Sequence, residues 1–399
     1  MRIAKPVFPQ LGEIAGAFLK LGCISFGGPV AHLGYLREEF VVKRHWLDDK
    51  AYGDLVALCQ FLPGPASSQV VFGLGMRQAG LAGAMLASIC FTLPSAILMI
   101  LFAYGIAHLD DLAHAGWLHG LKLAAVAVVA QAVWGMGTKL CPDRARITLA
   151  LAAAMGVLLV PGAWSQVGVI ALGALAGWVL YRKNDDVGSQ VYVDRARGHG
   201  WAAAALIGFA ALLLVLPVLA TATGMREVAL FDSFYRAGSL VFGGGHVVLP
   251  LLRAELVPTG WLSDDAFLAG YGAAQAVPGP LFTFAAYLGA TIEGGPQAWI
   301  GGLWCLLAIF LPAWLLIGGT LPFWNTLRNR SWAQAALRGT NAAVVGVLLA
   351  AFYDPVWREG VHNLRDVALG LVAFAALQFI RVPVWFVVAA MAALGTVMF

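Results

Sequence analysis

The sequence predicts an all-α polytopic membrane protein made of two inverted-topology repeats, with helices broken or re-entrant at Gly-Gly and Pro-Gly-Pro motifs. Three observations predict it. Hydrophobic residues make up 60% of the 399 and charged residues 12%, with mean hydropathy +0.80, where a soluble domain averages roughly 25% charged residues. About 13 apolar segments follow one another, in a chain where one crossing needs about 20 apolar residues. One unusual run of residues also occurs twice, half a chain apart. Phe26-Gly27-Gly28-Pro29, Trp46-Leu47 and Pro63-Gly64-Pro65 return as Phe242-Gly243-Gly244-Gly245, Trp261-Leu262 and Pro278-Gly279-Pro280, always 215 or 216 residues later. Corresponding Gly/Pro interruptions in two halves of an apolar chain mark the site of a transporter built from repeats.

The segments of the first half lie near 11–36, 52–75, 79–107, 116–138, 145–160 and 164–181. The polar stretch Tyr181 to Gly200, with Arg182, Lys183, Asp185, Asp186, Arg195 and Arg197, reads as a linker. The second half continues at 201–220, 231–256, 266–291, 297–320, 333–353, 365–380 and 383–399. Leu93-Pro94 returns as Leu311-Pro312, Gly120-Leu121-Lys122 as Gly339-Thr340-Asn341, and Pro161 with Trp164 as Pro383 with Trp385. Residues 1–181 therefore form one repeat, 182–230 a linker with a connecting transmembrane helix, and 231–399 the second repeat.

That connecting helix has a topological consequence. Six segments bring the chain back to its starting side, and one more crossing inserts the second repeat upside down, as in many secondary transporters. The charges agree under the positive-inside rule. Arg2, Lys5, Arg77, Lys139, Arg144, Arg146, Arg182 and Lys183 fall on one side, and Asp110, Asp111 and Glu293 on the other, so the N-terminus and linker are expected to be cytoplasmic. The connection 37–50, with Arg37, Lys43, Arg44 and Lys50, stays cytoplasmic only if the two segments flanking it are half-helices or re-entrant. Their Gly/Pro breaks favour that arrangement.

Broken backbone survives in hydrocarbon only where it is packed in protein or lines a wet cavity. A break also exposes amides at the new helix N-terminus, where the dipole favours an anion. Gly27, Gly28 and Pro29 with Gly243, Gly244 and Gly245, and Pro63, Gly64 and Pro65 with Pro278, Gly279 and Pro280, are thus candidates to bind an anionic substrate. Ser67 and Ser68 add hydroxyl donors, and Thr283 holds the Ser68 place in the second repeat. The plain alternative for any one Gly-Gly is close helix packing. Gln60 and Gln275 precede the two Pro-Gly-Pro turns at equivalent places, whereas His32 and His246 flank the Gly-Gly turns without being equivalent. Lys122, with Asn341 as its counterpart, and the charge-compensating candidates Lys20, Arg77 and Arg236 are the cations near these segments. An intramembrane ionisable residue is a functional candidate, and snorkelling to the interface is its bland counterpart. Arg37 with Glu39, and Arg253 with Glu255, are expected to form ion pairs at the membrane surface.

Several classes drop out. No P-loop run is present, so no nucleotide hydrolysis is expected. No basic aromatic platform suggests nucleic acid. Five cysteines show no metal-ligand spacing, and no cofactor or metal is expected. No Asp or Glu is read deep in an apolar segment, which disfavours both a cation carrier and a membrane-embedded enzyme.

The run Phe26-Gly27-Gly28-Pro29, Ala31-His32, Gly34-Tyr35, Glu39-Phe40-Val41, Arg44 and Trp46-Leu47 resembles the chromate ion transporter (CHR) family. So do Tyr52, Asp54-Leu55, Gln60 to Ala66 and Phe91-Thr92-Leu93-Pro94-Ser95. The resemblance covers the whole chain, more weakly in the second copy, in the manner of the long two-domain form. It implies a multi-pass protein of the bacterial inner (cytoplasmic) membrane that exports chromate, by membrane potential or ion exchange. Sulfate or another oxyanion, an anion channel and a membrane enzyme remain the alternatives. The expected partners are chromate, sulfate as a second oxyanion, and the lipid bilayer; a homodimer is compatible with the sequence. Pro29 becomes Gly245, and Ser67 and Ser68 become Phe282 and Thr283, so the first repeat is expected to supply more of the polar groups.

Overall fold

The computed structural model describes residues 7–107, 116–160, 162–181, 199–242, 245–293, 297–323 and 330–398. The linker 182–198, Asp110, Asp111, Arg2, Lys5, Pro161, Gly243 and Gly244 lie outside the described residues. Among the described residues all regular structure is helical. The first half holds α1 (Val7–Ile24), α2 (Gly28–Arg37), α3 (Asp49–Phe61), α4 (Ala66–Ala107), α5 (Gly116–Leu140), α6 (Arg144–Leu159) and α7 (Ala163–Tyr181). After α8 (His199–Thr223), the second half holds α9 (Arg226–Leu240), α10 (Val248–Leu256), α11 (Asp264–Ala276), α12 (Phe284–Glu293), α13 (Ala298–Thr320), α14 (Ser331–Ala351), α15 (Leu364–Ala375) and α16 (Val384–Met398). Among the described residues, six stretches are long and apolar enough to cross a membrane, namely Ala66–Ile106, Gly116–Leu140, Trp164–Tyr181, Gly200–Thr223, Ala298–Phe323 and Ser331–Gly360.

The long helix α4 is two arms. Ala79 (φ −141°, ψ 32°) and Gly80 (φ 61°, ψ −150°) leave the helical region, and the arms fold together where Gly75 and Gly83 each meet the other's carbonyl. Helices α12 and α13 form the equivalent hairpin, closed where Gly289 meets the Gly301 carbonyl. The bend at Ala79-Gly80 falls at the boundary expected between segments 52–75 and 79–107, whereas segment 52–75 is itself interrupted at Pro63-Gly64-Pro65. Helix α3 stops at Phe61, and one hairpin begins at Ala66.

By contact the chain forms two compact units, each drawn from both halves of the sequence. The first comprises Met1–Phe102, Arg195–Ser239 and Val277–Pro322. Within it, Gly64 faces Ala313 and Gly279 faces Ser95. These two contacts are the same contact exchanged between repeats, because Gly279 is equivalent to Gly64 and Ala313 to Ser95. The second unit comprises Ala103–Asp194, Leu240–Ala276 and Phe323–Phe399. In it α5 packs on α16, where Gly120 meets the Met391 carbonyl and Gly395 meets the Gly116 carbonyl. Helix α14 packs on α7 in the same way, where Gly339 meets the Gly173 carbonyl and Gly177 meets the Ala335 carbonyl. Small residues let these backbones approach. Reciprocal contacts of this kind, a on b′ and a′ on b, are the property of a two-fold relation, and each unit contains one.

The connection between α2 and α3 is held by charge and by closely packed aromatic rings. Phe40 lies 4.6 Å from Phe18 and 4.5 Å from Trp46, centroid to centroid. Arg44 donates to Glu39 at 2.8 Å and to Glu13 at 2.9 Å, and Lys20 lies 3.6 Å from Glu39. The arginines expected to pair with Glu39 and Glu255 choose other carboxylates. Arg37 pairs with Asp49 at 2.7 Å and Arg253 with Asp264 at 2.7 Å. Asp49 and Asp264 are repeat-equivalent first-turn residues of α3 and α11, so each pair ties one short helix to the next.

Candidate functional site

All four Gly/Pro motifs break the chain. Helix α1 ends at Ile24 and α2 restarts at Gly28 with Pro29 in its first turn, where the ring costs no hydrogen bond. Helix α3 ends at Phe61 and α4 restarts at Ala66. Helix α9 ends at Leu240 and is followed by a 3-10 turn at Gly245–Val247, whereas α11 ends at Ala276 before a 3-10 turn at Leu281–Thr283. Gly64 and Gly279 adopt φ of 115° and 103°, conformations that suit glycine.

In the first unit three of these breaks come together. The Gly279 amide donates to the Ser25 carbonyl at 2.8 Å, and His32 Nε2 lies 3.0 Å from the same oxygen. A carbonyl only accepts, so Nε2 carries the proton and Nδ1 of the neutral ring is an acceptor. Nδ1 faces Ser67 Oγ at 3.5 Å, and the ring meets Phe91 edge-on at 5.8 Å. Gln69 Nε2 donates to the Pro63 carbonyl at 2.8 Å and closes the turn before α4. Ser25, His32, Ser67, Ser68 and Gln69 are each at most 3% exposed. Within this cluster Ser25 Oγ, Ser68 Oγ and Gln69 Oε1 are buried without a hydrogen-bond partner. Native structures leave few such groups unpaired, and each calls for an explanation. With the first-turn amides of α4, which have no partner within the helix, they make a buried polar cluster whose hydrogen-bonding capacity is not fully used. Thr283, by contrast, spends its hydroxyl on the Pro280 carbonyl at 2.8 Å, and Gln60 is exposed.

The remaining candidates lie in the second unit. His246 Nδ1 is 2.7 Å from the Tyr271 hydroxyl. Gln275 follows Tyr271 by one turn of α11 and is half-buried. Asn341 Oδ1 is buried without a partner. Lys122 is buried and donates to Asp265 at 2.5 Å.

Three of the four candidate cations are committed to carboxylates. Lys122 has Asp265, Lys20 has Glu39, and Arg236 has Asp232. Arg77 is exposed near the end of the first arm of α4. The reading that no Asp or Glu lies deep in an apolar segment is corrected by Asp232, 5% exposed within α9. Its signal was in the sequence, since residues four apart on a helix are neighbours and Asp232 precedes Arg236 by four. Asp366 was also missed. It is wholly buried and accepts from His119 Nε2 at 2.9 Å and from the His362 and Asn363 amides at 2.8 and 3.2 Å. Among the described residues no group of three or more His, Cys, Asp or Glu is placed to hold a metal.

Comparison with known proteins gives a consistent picture. The family model described as chromate transporter matches twice, at residues 12–178 and 228–396. A chromate transport protein of Pseudomonas aeruginosa is 30% identical over 387 residues, covering 92% of this chain and 86% of that one. A chromate transport protein of Cupriavidus metallidurans is 24% identical over 396 residues, covering 97% and 93%. An uncharacterised Bacillus subtilis transporter is 29% identical over 175 residues, covering 42% of this chain and 94% of its own length. No solved structure matches the chain.

Proposed function

The chain belongs to the chromate transporter family, and from that premise we propose that it exports chromate across a bacterial inner membrane as a secondary transporter. The family makes it a transporter rather than an enzyme. The observation that carries the reading is the buried polar cluster at the three breaks of the first unit, where Ser25 Oγ and Ser68 Oγ are buried and unspent. Hydroxyls and helix N-terminal amides replace the hydration shell of a tetrahedral dianion. The odd helix α8 between the repeats supports an inverted arrangement, which is common to carriers that alternate access around one site.

Export of two negative charges from a cytoplasm at −100 mV is downhill by about 4.6 kcal/mol, at roughly 2.3 kcal/mol per charge. The membrane potential is a sufficient drive on this reading, and exchange for another ion adds to it. Hydroxyl and amide donors of this kind recognise charge and shape, so sulfate is the natural competitor. The test is uptake of radiolabelled chromate into inside-out vesicles at an imposed potential, with sulfate added in excess. Accumulation that follows the potential and falls with Ser68→Ala supports the reading. Flux that is absent, or indifferent to both, removes it.

A further inference from the structure

Resting on the site reading above, we propose that His32 takes up a proton as the dianion binds and releases it as the anion leaves, so that each transport event moves one net charge rather than two. The geometry around the ring is what points there. The Ser25 carbonyl accepts from His32 Nε2 at 3.0 Å and from the Gly279 amide at 2.8 Å. It therefore fixes the tautomer and ties the ring to breaks from both repeats. In the neutral ring Nδ1 accepts the Ser67 hydroxyl proton. Adding a proton to Nδ1 reverses that bond. The new N–H donates to Ser67 Oγ, and the hydroxyl proton of Ser67 turns outward as a donor for the anion, beside the unspent Ser68 Oγ.

The electrostatics supply the coupling. The groups facing His32 are the Ser25 carbonyl, the Ser67 hydroxyl and the Phe91 ring, all neutral. The charges on the surrounding elements are committed elsewhere. Lys20 on α1 pairs with Glu39, Arg37 on α2 with Asp49, and Arg236 on α9 with Asp232. Arg77 stands ten residues beyond Ser67, about 15 Å along the helix. Helix α13 carries no charged residue. An imidazolium that is 1% exposed among neutral groups is costly on its own, and so is a buried dianion held only by neutral donors. Bound together they offset each other.

The test uses the purified full chain in detergent at pH 8, with chromate as the dianion, titrated calorimetrically in two buffers of different ionisation enthalpy. Wild type is expected to take up about one proton per chromate bound, and His32→Gln, which keeps an amide donor for the Ser25 carbonyl, to take up almost none. Chromate binding without proton uptake in wild type overturns this inference alone, as does uptake that persists in His32→Gln. Failure of wild type to bind chromate overturns the site reading and this inference with it. Should His32→Gln not fold, the charge moved per chromate by wild type in proteoliposomes decides instead. One charge supports the coupling, and two overturn it.

Discussion

The Gly279 amide donates to the Ser25 carbonyl at 2.8 Å, so the Pro-Gly-Pro turn of the second repeat is closed on the broken helix of the first. The two residues are 254 apart in sequence. The polar cluster draws on both halves, because Ser25, Ser67 and Ser68 come from one repeat and the amide bound to the Ser25 carbonyl comes from the other. The same dependence recurs in the exchanged contacts of Gly64 on Ala313 and Gly279 on Ser95.

Gly279→Ala is expected to destabilise the protein strongly. Its φ of 103° disfavours any side chain, and the added Cβ would stand 2.6 Å from Ser95 Oγ. Backbone strain of this kind costs about 1–3 kcal/mol, and the clash adds to it. Ser95→Ala in the same chain should recover the clash and leave the strain. Thermal melting of the detergent-purified protein checks the order, with wild type highest, the double variant next and Gly279→Ala lowest.

Ser68→Ala separates a binding hydroxyl from a structural one. A hydroxyl buried without a partner costs about 1–3 kcal/mol of desolvation, so its removal should leave the chromate-free protein as stable as before or more so. A structural hydroxyl would show the opposite sign. Chromate flux should fall at least tenfold in the same variant, and melting with and without chromate, beside vesicle uptake, reads both effects.

The breaks were legible in the sequence because Gly and Pro act on the backbone where they stand. Pro29, Gly64 and Gly279 mark real interruptions for reasons that need no neighbour. The exchanged contacts were not legible. Gly64 and Gly279 read as a duplicated motif, but only folding reveals that each lies against the other repeat's hairpin. Ion-pair partners failed for a related reason. Arg37 and Arg253 have Glu39 and Glu255 two residues away, yet residues two apart on a helix do not face each other, and the longer reach to Asp49 and Asp264 won. Lys122 and Asp265, 143 residues apart, offered no local signal at all.

The Lys122–Asp265 pair should respond asymmetrically to truncation. The lysine side chain is 10% exposed and the aspartate side chain 48%. Asp265→Ala leaves a buried ammonium uncompensated and is expected to cost about 2 kcal/mol. Lys122→Ala leaves a carboxylate that water already reaches and should cost about 1 kcal/mol or less. If Lys122 also serves the anion, Lys122→Ala should abolish chromate flux while the protein still inserts. A double-mutant cycle on melting temperature and uptake tests both statements, and normal flux in Lys122→Ala confines the residue to its ion pair.

Acid should loosen the connection between α2 and α3 through Glu39. Burial pushes its carboxyl upward, but the Arg44 hydrogen bond and the Lys20 and Arg44 charges outweigh it and hold the group below its ordinary value of 4.5. A carboxylate whose folded value is depressed stabilises the fold above the unfolded value, and that contribution is lost as pH falls through the folded one. The loss therefore begins below about pH 4.5 and not in the neutral range. Trp46 reports it, since its ring packs tilted against Phe40 at 4.5 Å and lies 5.9 Å from the Arg44 guanidinium carbon. Its share of the fluorescence, read as wild type minus Trp46→Phe because the chain has 14 tryptophans, should stay constant from pH 7 to about 5 and change on further acidification. Glu39→Gln cannot carry the charge, so it should be less stable at pH 7 and lose this acid dependence. A Trp46 transition in Glu39→Gln at the wild-type pH would assign the effect to Glu13 or Asp49 instead.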